Sequence, residues 1–200
     1  MSTDHHHNEP VLDRKDVVER EKEKFGGLKI GCAFFGWLTA TGMTVVLTAL
    51  VAAAGAGVGL VSSTEDLQNA AQDTGAGASD IAWAGVILVL VVVLIAYYCG
   101  GYVAGRMARF DGARQGLAVF GWTVVIAIVL AIVGAVAGAQ YNVLDDLNSF
   151  PRIPDSLNDL SLQGVVALVG VVVAAIVGSI LGGLAGMHFH RKVDKVGLGR

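Results

Sequence analysis

The sequence predicts an all-α membrane protein, with four transmembrane helices arranged as two tandem parallel helical hairpins and a short charged helix ahead of them. Three observations predict it. Four runs contain no Asp, Glu, Lys or Arg: Ile30 to Ser63, Ile81 to Gly105, Gln115 to Leu144 and Leu160 to Phe189. Charge is confined to the segments between them. A thirteen-residue motif is written twice, carrying the chain from a charged segment into the first run and again into the third. Each run exceeds the roughly 20 apolar residues that a helix needs to cross a bilayer. Helix is the economical choice, because backbone groups in lipid must be bonded within the segment. The ten-residue alternation of a barrel strand is absent.

Composition agrees. Apolar residues make up 54% of the chain, which carries 27 glycines and a mean hydropathy of +0.63, values that do not suit a soluble domain. The predicted divisions are a charged segment at 1–28, a first hairpin at 29–109, a second at 110–190 and a basic tail at 191–200.

Met1 to Pro10 is polar and includes His5, His6 and His7, which read as a flexible tract with at most weak metal affinity. Asp13 to Lys24, DRKDVVEREKEK, alternates charge sign and is rich in helix formers. Asp16 and Arg20 stand at i,i+4, a spacing that supports a helix by about 0.2–0.5 kcal/mol. Val11, Val18 and Phe25 recur every seven residues, too few for a coiled coil, so a solvated helix is expected.

The first run is expected to be a retained span. Charged and polar residues precede it, and it exceeds the 7–15 apolar residues usual in a signal peptide. Trp37, Thr41, Thr44 and Thr48 share one helical face. Such a face serves either as a helix contact, with hydroxyls bonded to backbone, or as the polar lining of a pore. In the repeat, the threonine positions become Ile126, Val129 and Val133, which favours contact. The loop after it, Ser62 to Asp80, carries four acids and no Lys or Arg.

The second run ends in Tyr97-Tyr-Cys-Gly-Gly-Tyr102, and tyrosines favour the membrane–water boundary. Gly101 and Gly105 form a GxxxG pair, a spacing that lets helix backbones approach closely. Arg106, Arg109 and Arg114 follow and, with Lys29, are expected to act as interfacial anchors. In the third run Gly134 and Gly138 repeat the small-residue spacing, and in the fourth Gly178, Gly182 and Gly186 extend it to a double step. Cys32 and Cys99 are read as small packing residues. The loop Tyr141 to Asp159 holds four acids against the single base Arg152.

The repeat ties these elements together. FGGLKIGCAFFGW, Phe25 to Trp37, matches FDGARQGLAVFGW, Phe110 to Trp122, at seven of thirteen positions and an offset of 85. Gly101-Tyr-Val-Ala-Gly105 matches Gly182-Gly-Leu-Ala-Gly186 at an offset of 81, so the second half of each hairpin is repeated too. Thirteen of the fourteen Lys and Arg lie before span one, between spans two and three, or after span four. The positive-inside rule then places both termini and the central turn in the cytoplasm. Two hairpins of the same orientation would be related by a pseudo-twofold axis along the membrane normal.

The chain carries no H-E-x-x-H, G-x-S-x-G or phosphate-loop lysine pattern. Gly55-Ala-Gly-Val-Gly59 lies within a span, so it does not read as a dinucleotide loop. No Asp, Glu, Lys or His lies mid-span, where proton relays and ion-coupling sites usually occur. The expectation is a non-enzymatic protein with no catalytic, cofactor or metal site, a structural or interaction component assembling through its small-residue faces. Its expected partners are membrane lipids and either further copies of itself or another membrane protein, with no nucleic acid. The alternative is a small oligomeric channel or passive transporter lined by the threonine face, which could use backbone carbonyls and hydroxyls.

The motif around Phe25 to Trp37, the LTATG of Leu38 to Gly42 and the stretch Tyr97 to Gly116, YYCGGYVAGRMARFDGARQG, resemble a group of small actinobacterial membrane proteins. The resemblance covers about Glu19 to Gly138 and implies a charged amino-terminal segment followed by four spans. It implies no catalytic or binding residues.

Overall fold

The computed structural model describes residues 14–57, 78–141 and 162–197. They form five helices: α1 Arg14–Phe25, α2 Ile30–Gly57, α3 Ala78–Ala108, α4 Gly112–Tyr141 and α5 Leu162–Gly197. No strand occurs among the described residues. The His5–His7 tract, most of the two acidic loops and the last three residues lie outside the described residues.

Helices α2 to α5 each contain a stretch long and apolar enough to cross a membrane: Ile30–Gly55, Trp83–Ala108, Gly112–Val136 and Gly164–His188. The architecture is the predicted all-α, four-span one. Helix α5 is longer than its span and carries most of the basic tail as helix through Gly197. Large apolar side chains cover the outside, Val45, Leu50, Ile87, Ile128 and Leu168 among them. The buried apolar set is mostly small, Ala33, Ala40, Ala96, Ala104, Ala108 and Ala175, with Val119 the largest fully buried aliphatic side chain and Phe110 of the α3–α4 turn the one large ring among the described residues. A bundle in lipid gains nothing by hiding leucines from hydrocarbon, so small residues that bring backbones together occupy the interior.

The most extensive helix contact is between α3 and α5. It is a glycine seam. A methyl group added at Gly101 would overlap the Ser179 carbonyl oxygen, and one at Gly105 the Gly183 carbonyl oxygen. Across the same seam a methyl at Gly182 would overlap the Tyr98 carbonyl oxygen, and one at Gly186 that of Tyr102. Gly178 would meet the Leu94 carbonyl at 2.6 Å. These pairs advance together along both helices, so α3 and α5 run in the same direction. Adding 81 to Gly101 gives Gly182, and subtracting 81 from Ser179 gives Tyr98. The pairs Gly101–Ser179 and Tyr98–Gly182 are therefore images of each other. Gly105–Gly183 and Tyr102–Gly186 are images in the same way. The seam is a local twofold between the repeats.

That symmetry stops at α2 and α4. Helix α2 packs on α3 through Gly36, whose added methyl would lie 2.6 Å from the Gly100 carbonyl and 2.8 Å from the Ala104 methyl. The repeat equivalents of Gly36 and Gly100 are Gly121, which has nothing within 4 Å, and Leu181, which is exposed. Helix α4 instead turns Gly112 and Gly116 onto Gly183 and Ser179 of α5, whereas Gly31, the equivalent of Gly116, faces open space. Helix α4 also touches α2 and α3, but among the described residues α2 does not reach α5. The α3–α4 pair thus separates α2 from α5. The three-residue turn Arg109-Phe-Asp111 holds α4 against α3, and α4 cannot then take the position that exact symmetry would require.

Candidate functional site

Among the described residues, a cluster of polar bonds between distant parts of the chain gathers at one end of the bundle, where α1, the α3–α4 turn and the last turns of α5 meet. We call this the basic end.

Its geometry begins with two chain reversals. Helix α1 stops at Phe25, the Gly26 amide donates to the Lys22 carbonyl at 2.7 Å, and Gly27 takes a φ of +94°. Only glycine enters that region without penalty. Helix α3 stops at Ala108, and Arg109 and Asp111 take φ of 65° and 55° on either side of the buried Phe110. Aspartate tolerates this left-handed region better than most residues, because its short side chain bonds locally.

The two reversals lock onto each other. The Asp111 carboxylate accepts the Gly27 amide at 3.0 Å and faces the Lys22 ammonium at 3.6 Å. Its carbonyl accepts the Gln115 amide at 3.0 Å, starting α4. The bond from Gly27 holds the Asp111 carboxyl below the usual carboxylate range, aided by the charges of Lys22 and Arg114 and opposed by partial burial. The fully buried Gln115 donates from Nε2 to the Gly27 carbonyl at 3.1 Å, while its Oε1 has no protein partner. The Lys29 ammonium donates to the Ala108 carbonyl at 3.2 Å, a cation at the negative end of α3. Arg109 pairs with Glu21 at 3.0 Å, the Trp122 indole donates to the Ile30 carbonyl at 3.2 Å, and the Phe34 and Trp122 rings meet edge to face with centroids 5.1 Å apart. On the α5 side, His190 Nε2 and the Arg106 carbonyl stand 2.8 Å apart, with the imidazole donating.

The two copies of the repeated motif therefore bind each other. The two side-chain bonds that hold Gly27 come from positions at which the copies differ. Asp111 replaces Gly26, and Gln115 replaces Ile30. The shared glycines and tryptophans set the frame, and the substituted polar groups clamp the second copy onto the backbone of the first.

The predicted site residues fall into three groups. Gly101, Gly105, Gly178, Gly182 and Gly186 all lie in the α3–α5 seam within one chain. Gly134 faces open space, and Gly138 falls beyond the residues whose surroundings are described. Among the polar face of α2, Trp37 packs beside Ala40, Ala104 and Val119 with Tyr97, and Thr44 donates to the Ala40 carbonyl at 2.9 Å. Thr41 and Thr48 point away from the bundle. Of the four basic residues, Lys29, Arg106 and Arg109 participate in the basic-end contacts just described, and Arg114 is exposed beside Asp111. Asp111, Gln115, Gly100 and Gly183 carry no signal that singles them out in the sequence, whereas Gly36, Gly112 and Gly116 are marked there as identities of the repeat but not as packing positions. The mismatch positions of the repeat were the place to look for the first two. Among the described residues no three His, Cys, Asp or Glu side chains converge as a metal site would require.

Two open clefts lie at this end, of about 450 and about 400 Å³, sharing Lys22, Asp111 and Arg114. No family model, curated protein or solved structure matches the chain.

Proposed function

We propose that the chain is a non-enzymatic, multi-pass component of a bacterial plasma membrane, with both termini and the α3–α4 turn in the cytoplasm. In this reading the glycine seam holds the four spans together, and the basic end offers a fixed docking face to lipids and to protein partners. The observation that carries it is the clamp between Gly27, Asp111 and Gln115, which fastens a charged helix to the end of an apolar bundle. Three cations, Lys22, Arg109 and Arg114, are thereby held around one turn. The confinement of thirteen of the fourteen Lys and Arg to the terminal segments and the region around the α3–α4 turn supports the orientation.

The channel alternative requires several copies to surround a path lined by α2, because Thr41 and Thr48 lie on its outer surface. The bond from Thr44 to its own helix supports a contact face instead. Ion and small-solute flux through proteoliposomes separates the two readings, comparing the wild type with Gly182→Leu. The docking reading predicts no flux from either protein. Flux in the wild type that disappears in Gly182→Leu would replace it with the channel.

A further inference from the structure

The smaller cleft has a construction that the docking reading does not by itself specify. Its rim carries three cations, Lys22 from α1, which faces Asp111, Arg109 from the turn, which also pairs with Glu21, and the exposed Arg114 from α4, with the His190 imidazole beside them from α5. Its floor is apolar, built from Val18, Phe110, Leu184 and Met187. The carboxylate in it, Asp111, is already engaged by the Gly27 amide and Lys22. The cleft also sits at a defined depth. The apolar stretch of α3 ends at Ala108, that of α4 begins at Gly112 and that of α5 ends at His188. The apolar stretches of three helices thus begin or end beside this one cavity, and in the membrane reading a span end lies near the phosphates of a bilayer. Helix α4 starts here as well, and its dipole adds positive potential to that of the side chains.

From this we infer that the cleft between α1, the α3–α4 turn and α5 is a binding site for the phosphate of an anionic phospholipid, with the glycerol and first acyl carbons on the apolar floor. The inference rests on the docking reading and gives it a ligand class. Charge complementarity selects the phosphate, since guanidinium groups present planar forks that match phosphate oxygens. The floor selects a lipid over free phosphate. Val18, Phe110, Leu184 and Met187 have nothing to offer inorganic phosphate, but they match the apolar continuation of a phosphodiester headgroup.

Native mass spectrometry of the full-length protein tests this, with phosphatidylglycerol, phosphatidylcholine and inorganic phosphate as the probes. The wild type is expected to retain one phosphatidylglycerol per chain and to prefer it over phosphatidylcholine. Arg114→Gln, at an exposed position, should weaken that retention about tenfold, the loss of one charge-assisted contact, and Arg109→Gln should do so as well. Arg20→Gln removes the same charge from α1 outside the cleft and should leave retention unchanged. Equal loss in Arg20→Gln would reduce the site to diffuse surface charge. Equal retention of phosphatidylcholine would overturn it too, as would unchanged retention in both cleft variants. Displacement of the lipid by millimolar inorganic phosphate would reassign the cleft to a soluble phosphate compound. None of these outcomes bears on solute flux, so this site and the non-conducting reading fail separately.

Discussion

Asp111 does three things at once. It ends a left-handed turn, starts α4 with its carbonyl and holds the Gly27 amide with its carboxylate. The ion pair with the half-exposed Lys22 adds little, because exposed pairs contribute at most about 1 kcal/mol. The bond to the Gly27 amide is the stronger part, since the acceptor is charged. It also sets the pH response. The folded carboxyl titrates below its ordinary value of 3.8. Its contribution is therefore complete above that value and is lost as pH falls through the lower folded value. Spin labels at Glu23→Cys and Met107→Cys, with Cys32 and Cys99 replaced by serine, report the attachment of α1. The distance distribution should stay narrow from neutral pH down to about 4 and broaden only in stronger acid. Asp111→Asn keeps an acceptor but loses the charge. It should weaken the attachment by on the order of 1 kcal/mol and remove the acid transition. A wild-type distribution already broad at neutral pH, or an acid transition that persists in Asp111→Asn, would remove this residue from its role.

At the scale of the helix, the repeat makes a paired prediction. Gly36 and Gly121 are equivalent in sequence, as are Gly31 and Gly116, yet in each pair one member is packed and the other is open. Gly36→Leu and Gly116→Leu should each destabilise the protein in detergent by about 1–3 kcal/mol or more, because backbone and not a pliable side chain opposes the new atoms. Gly31→Leu and Gly121→Leu should be close to neutral. Equal losses within a pair would mean that the copies pack alike and that the asymmetry is wrong. This asymmetry marks where the sequence stopped being informative. The four spans were legible because a charge-free run of that length has few other uses. The α3–α5 seam was legible because the GxxxG spacing selects one helix face. Which of two nearly identical motifs turns its glycine inward was not legible, because rotation of α2 and α4 is decided by neighbours that the motif does not encode. Gln115 and Asp111 were illegible for a related reason. Their partner, Gly27, lies 88 and 84 residues away, and no local pattern marks the bond.

The whole molecule is polarised. One end is tied by a charged clamp and carries several cations, and among the described residues large apolar side chains make up much of the remaining outer surface. The glycines of the α3–α5 seam meet backbone of their own chain, so this seam is built without a second copy. Both the docking reading and the lipid site depend on the basic end facing the cytoplasm, where anionic lipid and basic protein segments meet. The most direct test is labelling of single cysteines with a membrane-impermeant maleimide, in a background with Cys32 and Cys99 replaced by serine. Thr64→Cys and Ser156→Cys, in the two acidic loops, should be labelled in intact cells. Lys24→Cys and the exposed Val196→Cys should be labelled only after the cells are permeabilised. The reverse pattern, with Lys24→Cys and Val196→Cys reached from outside, would contradict the account.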